Sequence, residues 1–167
     1  MSFWRNYYHL VWATKNREPL IQPKFEDNLY RYLISKAAAL GCYTYAIGGD
    51  VDHVHVALAI PPKNGVSEVM KNLKGASSHH VNHFIRPAMG HFDWQRGYGC
   101  MTFGEMHRAW VISYIQQQKQ HHAENTINVW LERMDELDEG PQVLGLSAEM
   151  GAWKVREEQG EYVAFPF

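Results

Sequence analysis

The sequence predicts an α+β fold in which an antiparallel sheet carries helices on one face. Three observations carry that prediction. Two apolar runs, residues 42–48 and 53–60, flank the short linker Gly49-Asp50-Val51-Asp52, which is the pattern of an antiparallel hairpin. Two stretches with helical spacing stand between strand-like segments. The resulting order of strand, helix, strand, strand, helix, strand is the split βαβ, or ferredoxin-like, plan.

The elements follow in chain order. Residues 7–14 are aromatic and β-branched and read as the first strand. Two prolines between Lys15 and Pro23 mark a loop. Phe25, Leu29, Leu33, Lys36 and Leu40 recur at helical spacing, and Gly41 stands where a helix stop belongs. The hairpin ends at Pro61-Pro62, because proline cannot continue a sheet ladder. Ser67-Glu68 fits a helix start, with that helix running over residues 66–84. Residues 100–103 read as a short strand. Residues 105–122 contain no Gly or Pro and read as one helix, and 125–137 as a shorter one. No internal repeat is visible.

The 167 residues suffice for one domain and a small extension, and 46% hydrophobic with 20% charged residues excludes a disordered or fibrous chain. The formal net charge of −2 gives no sign of a nucleic-acid binder, yet it is a sum of unlike parts. Residues 1–123 carry 13 Lys and Arg against 8 Asp and Glu, whereas residues 124–167 carry 3 against 10. A basic body of residues 1–123 thus precedes an acidic C-terminal extension of 124–167, helical or irregular. Cys42 and Cys100 are too few for a disulfide framework; they suit a reducing compartment and read as small core residues. No apolar run approaches the roughly 20 residues of a membrane span, and no signal peptide is visible. These features lead us to expect a cytoplasmic protein without membrane partners.

The chemistry concentrates in two places. His53-Val54-His55 lies on the second hairpin strand, where alternation sends both imidazoles to one face with Cα atoms roughly 6.6 Å apart. That spacing lets both rings reach one divalent cation. It also suits a pair of half-exposed strand histidines. On the last strong helix, Tyr114 and Gln118 stand four residues apart and share a face. A phenol can act as a covalent nucleophile once a metal polarises the group it attacks, and an amide oxygen can join two imidazoles as a ligand. Tyr114 alone equally suits a rim residue beside Val111, Ile112 and Ile115.

Together these motifs resemble the single-tyrosine HUH transposases of small bacterial insertion sequences, relatives of the REP-associated tyrosine transposases. The resemblance rests on Val51-Asp52-His53-Val54-His55 and on Tyr114 through Gln118, followed by Lys119-Gln120-His121-His122. It extends to Tyr8 through Lys15 with Arg17 and Pro19, to Leu73-Lys74-Gly75 with Ser77-Ser78, and to Gly97-Tyr98-Gly99. The similarity implies that residues 1–123 form the transposase domain. It implies a divalent metal, Mg²⁺ or Mn²⁺, held by His53, His55 and Gln118, and Tyr114 as the nucleophile on single-stranded DNA. The expected products are a 5′-phosphotyrosine link and a free 3′-OH, with strand transfer reversing the step. Hairpin DNA ends, a homodimer completed in trans by the tyrosine helix, and a cytoplasmic, nucleoid-associated location follow from the same resemblance.

Lys15, Arg17, Lys71, Lys74 and Arg86 are candidates for phosphate contacts, and Lys63 lies among them. Trp12, Trp94 and Tyr98 are candidates for stacking unpaired bases. His79 and His83 share a helix face and could hold a second metal, or simply face solvent. In the extension, Trp130, Leu131, Met134 and Leu137 form a stripe opposite Glu132, Asp135, Glu136, Asp138 and Glu139, as in a helix docked on the body. Two alternatives compete with a mobile transposase: a domesticated nuclease acting on hairpin DNA, and a single-strand nucleic-acid-binding module of the same fold. The binding module gives no role to His53, His55, Tyr114 and Gln118.

Overall fold

The computed structural model describes residues 3–88 and 90–134. Four strands, β1 (Tyr7–Ala13), β2 (Tyr43–Asp50), β3 (His53–Ala59) and β4 (Gly99–Thr102), form one sheet in the order β2-β3-β1-β4. Every neighbouring pair is antiparallel. The α+β class and the split βαβ order expected from the sequence are both present.

Burial explains why β3 reads as an unbroken apolar run: every one of its residues is buried, so both faces of the strand are covered. On one face, Leu10, Trp12, Val54, Val56 and Leu58 pack against helix α1 (Pro23–Ala39) and helix α2 (Val66–His80). α1 contributes Phe25, Leu29, Leu33 and Ala37, and α2 contributes Val69, Met70 and Leu73. This is the main core. α1 starts with a proline in its first turn and stops at Gly41, whose φ of +75° is a left-handed helix end. α2 continues as a single wider turn of π-helix over Val81–Ile85, so the helical stretch ends one residue beyond the expected 84.

The expected 105–122 helix is divided. A 3₁₀ turn at Glu105–His107 leads into helix α3 (Arg108–Gln116), and Gln117, with φ −101° and ψ 15°, separates it from helix α4 (Gln118–Glu124). α3 lies on the sheet face opposite α1 and α2, where Val111 and Ile115 meet Ala46 and Ala57. Contact there is close: a Cβ on Gly48 of β2 would stand 2.0 Å from the Ile115 carbonyl oxygen. Small residues on the sheet let α3 approach it directly.

After α4 the chain leaves the helix through Asn125, in the left-handed conformation, and turns over 128–132. The expected helix over 125–137 is absent from 125 to 134, because Asn128 organises a turn instead. Its Oδ1 accepts from the Trp130 and Leu131 amides, and its carbonyl accepts from Leu131 and Glu132. Residues 135–137, including Leu137, lie outside the described residues, as do Asp135, Glu136, Asp138 and Glu139. Two other expectations are corrected by burial. Cys100 is exposed, while Cys42 is buried as expected. Trp12 and Trp94 sit edge to face inside the main core, so neither is open to a base. Among the described residues no helix is long and apolar enough to cross a membrane.

Candidate active site

His53 and His55 point to the face that α3 covers, the same face as His9 from β1. On that face His9, His53 and His55 are all fully buried. A buried imidazole needs partners, and each ring nitrogen of His53 and His55 can be followed to one. His53 Nδ1 lies 2.6 Å from Asp52 Oδ1, and Asp52 Oδ2 accepts from Arg17 Nε at 3.0 Å. Burial alone would raise the Asp52 carboxyl, but the bonds from His53 and Arg17 outweigh it and hold the group at about 2. His55 Nδ1 lies 2.9 Å from His9 Nε2. Burial pushes both of these imidazoles below the usual histidine range, His9 to about 3, so both rings are neutral at neutral pH.

The outward nitrogens of His53 and His55 meet groups from α4 and from the segment after it. His53 Nε2 faces Gln118 Oε1 at 3.4 Å and Glu132 Oε2 at 3.6 Å. His55 Nε2 faces the same Glu132 oxygen at 3.1 Å. With Nδ1 turned to Asp52, Nε2 is the His53 nitrogen that faces the two oxygens. The Nε2 atoms of both imidazoles and one oxygen each of Gln118 and Glu132 thus converge on one point, as the ligand atoms of a cation do. Ligands about 2.1 Å from a common octahedral cation stand roughly 3 Å apart, close to these separations. His122, one turn beyond Gln118, brings its Nε2 to 3.9 Å from Glu132 Oε2 and its ring to 4.8 Å from His53. His53, His122 and Glu132 thus form a group able to hold a metal ion.

Tyr114 is buried beside this cluster. Its hydroxyl donates to Glu132 Oε1 at 2.5 Å and accepts from the Asn128 amide at 3.0 Å, while Gln118 Nε2 donates to Glu132 Oε1 at 3.2 Å. The ring stacks on His121 with centroids 4.8 Å apart. Burial and the bond to Glu132 push the phenol up to about 12, so it carries its proton at neutral pH. Burial would also raise Glu132, yet its bonds to His55 and Tyr114 hold it at about 2, ionised.

All four sequence-predicted residues of the centre, His53, His55, Tyr114 and Gln118, therefore meet within one chain. The helical spacing argument reached this result by a different path from the fold. The helix breaks at Gln117, between Tyr114 and Gln118, and the two side chains converge on Glu132 rather than lying along one continuous face. Asp52, His9, His122 and Glu132 complete the cluster and had been given no role. Asp52 stood next to the His-x-His pair and His122 four residues after Gln118, so both had a signal in spacing. Glu132 had none, since a turn rather than a helix delivers it.

The basic candidates are dispersed. Arg17 is at the edge of the centre through Asp52, and Lys15 lies 3.8 Å from Asp93. Lys71 is exposed on α2, and Arg86 follows the π turn in a left-handed conformation, both elements lying across the sheet from His53 and His55. Lys74 is drawn inward and donates to the carbonyls of Gln95 and Gly97 at 2.5 and 2.7 Å. Its burial lowers the amine to about 8. It anchors the loop that leads to β4. His79 and His83 stack on each other, with His83 Nδ1 bonded to the His79 carbonyl, on the exposed side of the α2 stretch.

Comparison with known proteins identifies the family and agrees with the fold. The family model described as "Transposase IS200 like" matches residues 2–118. The ISDra2 transposase TnpA of Deinococcus radiodurans is 30% identical over 117 residues, covering 66% of this chain and 82% of that protein. A crystal structure of a transposase from the same organism superposes with a TM-score of 0.56 at 30% identity, over 71% of this chain and 95% of that one. A REP-associated tyrosine transposase bound to a REP hairpin shares the fold, with a TM-score of 0.55 at 13% identity over 76% of each chain. The chain belongs to the IS200-like transposase family.

Proposed function

We infer that this transposase cleaves and rejoins single-stranded DNA through a 5′-phosphotyrosine intermediate on Tyr114, with a divalent cation, Mg²⁺ or Mn²⁺, held by His53, His55 and Gln118. The observation that carries the reading is the convergence of Tyr114 with the two imidazoles and Gln118 around a single carboxylate, in a buried site. The donor set fits the cation: two neutral imidazoles and an amide oxygen, with Asp52 and His9 holding the outer ring nitrogens and so fixing the ring orientations. When bound, the ion supplies a Lewis acid that polarises a phosphate oxygen and stabilises the charge developing there.

The residues of the chain supply the rest. Tyr114 Oη attacks the phosphorus of a phosphodiester, and its proton passes to Glu132 Oε1, to which it is already hydrogen-bonded. The bond to the 3′ oxygen breaks, and that oxygen leaves as a 3′-OH after taking a proton from water. The new bond joins tyrosine to the 5′ phosphate, and attack by a second 3′-OH reverses the sequence. Arg17 at the rim, with Lys15 beside it, is placed to meet the strand that enters, while Lys71 and Arg86 across the sheet suit a more distant length of DNA. The hairpin carried by the REP-associated relative makes hairpin ends the substrate to test first. In this reading residues 1–123 carry the catalytic domain and 124–167 the extension.

The test uses labelled single-stranded hairpin DNA from the sequence flanking the gene, with Mn²⁺ or Mg²⁺. An SDS-resistant protein–DNA adduct is expected, abolished by EDTA and absent in Tyr114→Phe. An adduct that persists in Tyr114→Phe removes the nucleophile assignment, and cleavage without any adduct assigns the attack to water.

A further inference from the structure

We propose that Glu132, delivered by the turn that follows the family-matched region, is a fourth ligand of the metal centre and its only charged one. The inference rests on the metal-centre reading above and goes beyond it in the ligand set. The family match ends at residue 118, so Glu132 lies 14 residues outside it.

The two carboxylate oxygens face different partners. Oε2 points at the outward imidazole nitrogens, 3.1 Å from His55 Nε2 and 3.6 Å from His53 Nε2. Oε1 takes the hydrogen bonds from Tyr114 and Gln118. Gln118 is split in the same sense, with its oxygen toward His53 and its amide nitrogen toward Oε1. His53, His55, Gln118 and Glu132 thus each offer one lone-pair atom to a common point. The other atoms of the carboxylate and the amide tie the centre to the nucleophile.

Charge argues the same way. His53, His55 and Gln118 are neutral donors, so a dication among them in a buried site would lack any directly bound negative charge. Such a charge is expensive to bury unpaired. Among the described residues Glu132 is the carboxylate that reaches this point, since Asp52 lies behind His53 on the far ring nitrogen. Ligand charge is a main determinant of affinity for hard cations.

The segment is built to hold the carboxylate in place. Leu131 is buried before it, and the carbonyl of Arg133 after it lies where a Cβ on Gly99 of β4 would stand 2.1 Å away. Asn128 closes the turn through both its side chain and its carbonyl. Glu132 itself is half-buried, with a side-chain exposure of 10%. One turn therefore places a carboxylate between a strand and a helix that have no acidic residue of their own at this point.

Calorimetric titration of the DNA-free protein with Mn²⁺ tests the proposal, alongside the EPR spectrum of the bound ion. Glu132→Gln keeps the shape and one acceptor oxygen for Tyr114 and Gln118, but turns the other oxygen into an amide nitrogen and removes the charge. It is expected to weaken Mn²⁺ binding by roughly tenfold or more, with an altered EPR spectrum and an unchanged melting temperature without metal. Should Glu132→Gln fail to fold, Glu132→Asp, shorter by one methylene, is expected to lose affinity in the same direction. Unchanged or tighter Mn²⁺ binding in a folded variant overturns the proposal, and tighter binding would identify the carboxylate as a plug that the ion must displace. His53→Ala/His55→Ala separates the two levels. If that double variant loses Mn²⁺ while Glu132→Gln keeps it, the metal centre stands and only the fourth ligand falls. If the double variant binds Mn²⁺ like the wild type, the centre itself is misassigned.

Discussion

Asp52 shows how one side chain sets the direction of another. It occupies the turn of the hairpin, half-buried, with one oxygen on His53 and the other on Arg17. A metal-binding imidazole must present the correct nitrogen, and the partner of the opposite nitrogen decides which one that is. Asp52→Ala is expected to weaken Mn²⁺ binding by about 10- to 100-fold, read by calorimetry, because His53 loses the acceptor that keeps its proton on Nδ1. Unchanged affinity would mean that packing alone orients the ring. His9 plays the corresponding part for His55, at a cost: its own Nδ1 has no hydrogen-bond partner among the described residues. Such a buried orphan is unfavourable by itself, which fits a residue retained for what its other nitrogen does. That His53 and His55 share a face was legible in the sequence because period-two alternation puts residues two apart on one side of a strand. His9 was not, because it comes from another strand, and only the register that sets it against Ala57 brings it beside His55.

At the scale of elements, the site depends on how tightly α3 lies on the sheet. The strands and the two helices of the main core were readable from their apolar periods, and Gly or Pro marks an end of each of them except β1. The face that α3 occupies was not, since six of its nine residues are apolar and, spread around so short a helix, they do not say which side of a sheet they meet. Nothing in residues 105–122 marks the break at Gln117 either, as no Gly or Pro stands there. What the structure adds is Gly48. α3 approaches β2 so closely that any side chain there would run into the backbone of Ile115, the residue next to Tyr114. Gly48→Ala is expected to destabilise the protein by about 1–3 kcal/mol, as overpacking does in a filled interior. It is also expected to displace Tyr114 from Glu132 and so reduce adduct formation by more than the loss of folded protein explains. Denaturant unfolding beside a quantified adduct assay at equal folded concentration checks both parts. Normal adduct yield in a destabilised Gly48→Ala would show that α3 regains its position by moving the strand. The ion pair of Lys119 with Glu26, which ties α4 to α1, holds the other end of the broken helix.

The whole molecule poses the question of which chain completes which site. The charge division between residues 1–123 and 124–167 lies near residue 118, where the family match ends, but it does not reveal that the chain over 125–134 returns to the centre. It returns because Leu131 is apolar, Asn128 turns the chain, and Glu132 finds two imidazoles and a phenol. The resemblance in sequence implies a tyrosine helix exchanged between two copies. In this chain Tyr114 and His55 share the carboxylate of Glu132, and Asn128 of the same segment bonds to the Tyr114 hydroxyl. The break at Gln117 folds α4 back over its own β2, so no exchange is needed to bring Tyr114 beside His53, His55 and Gln118. A site complete in one chain makes a clear prediction for mixed variants. Tyr114→Phe keeps the ligands without the nucleophile, and His53→Ala/His55→Ala keeps the nucleophile without the ligands. In a trans arrangement, mixing the two would create one intact site per heterodimer and restore adduct formation. In the arrangement described here each chain lacks one half of its own centre, so the mixture is expected to give no more adduct than either variant alone. Restored adduct in the mixture would show that α3 and α4 change partners when two copies meet on DNA.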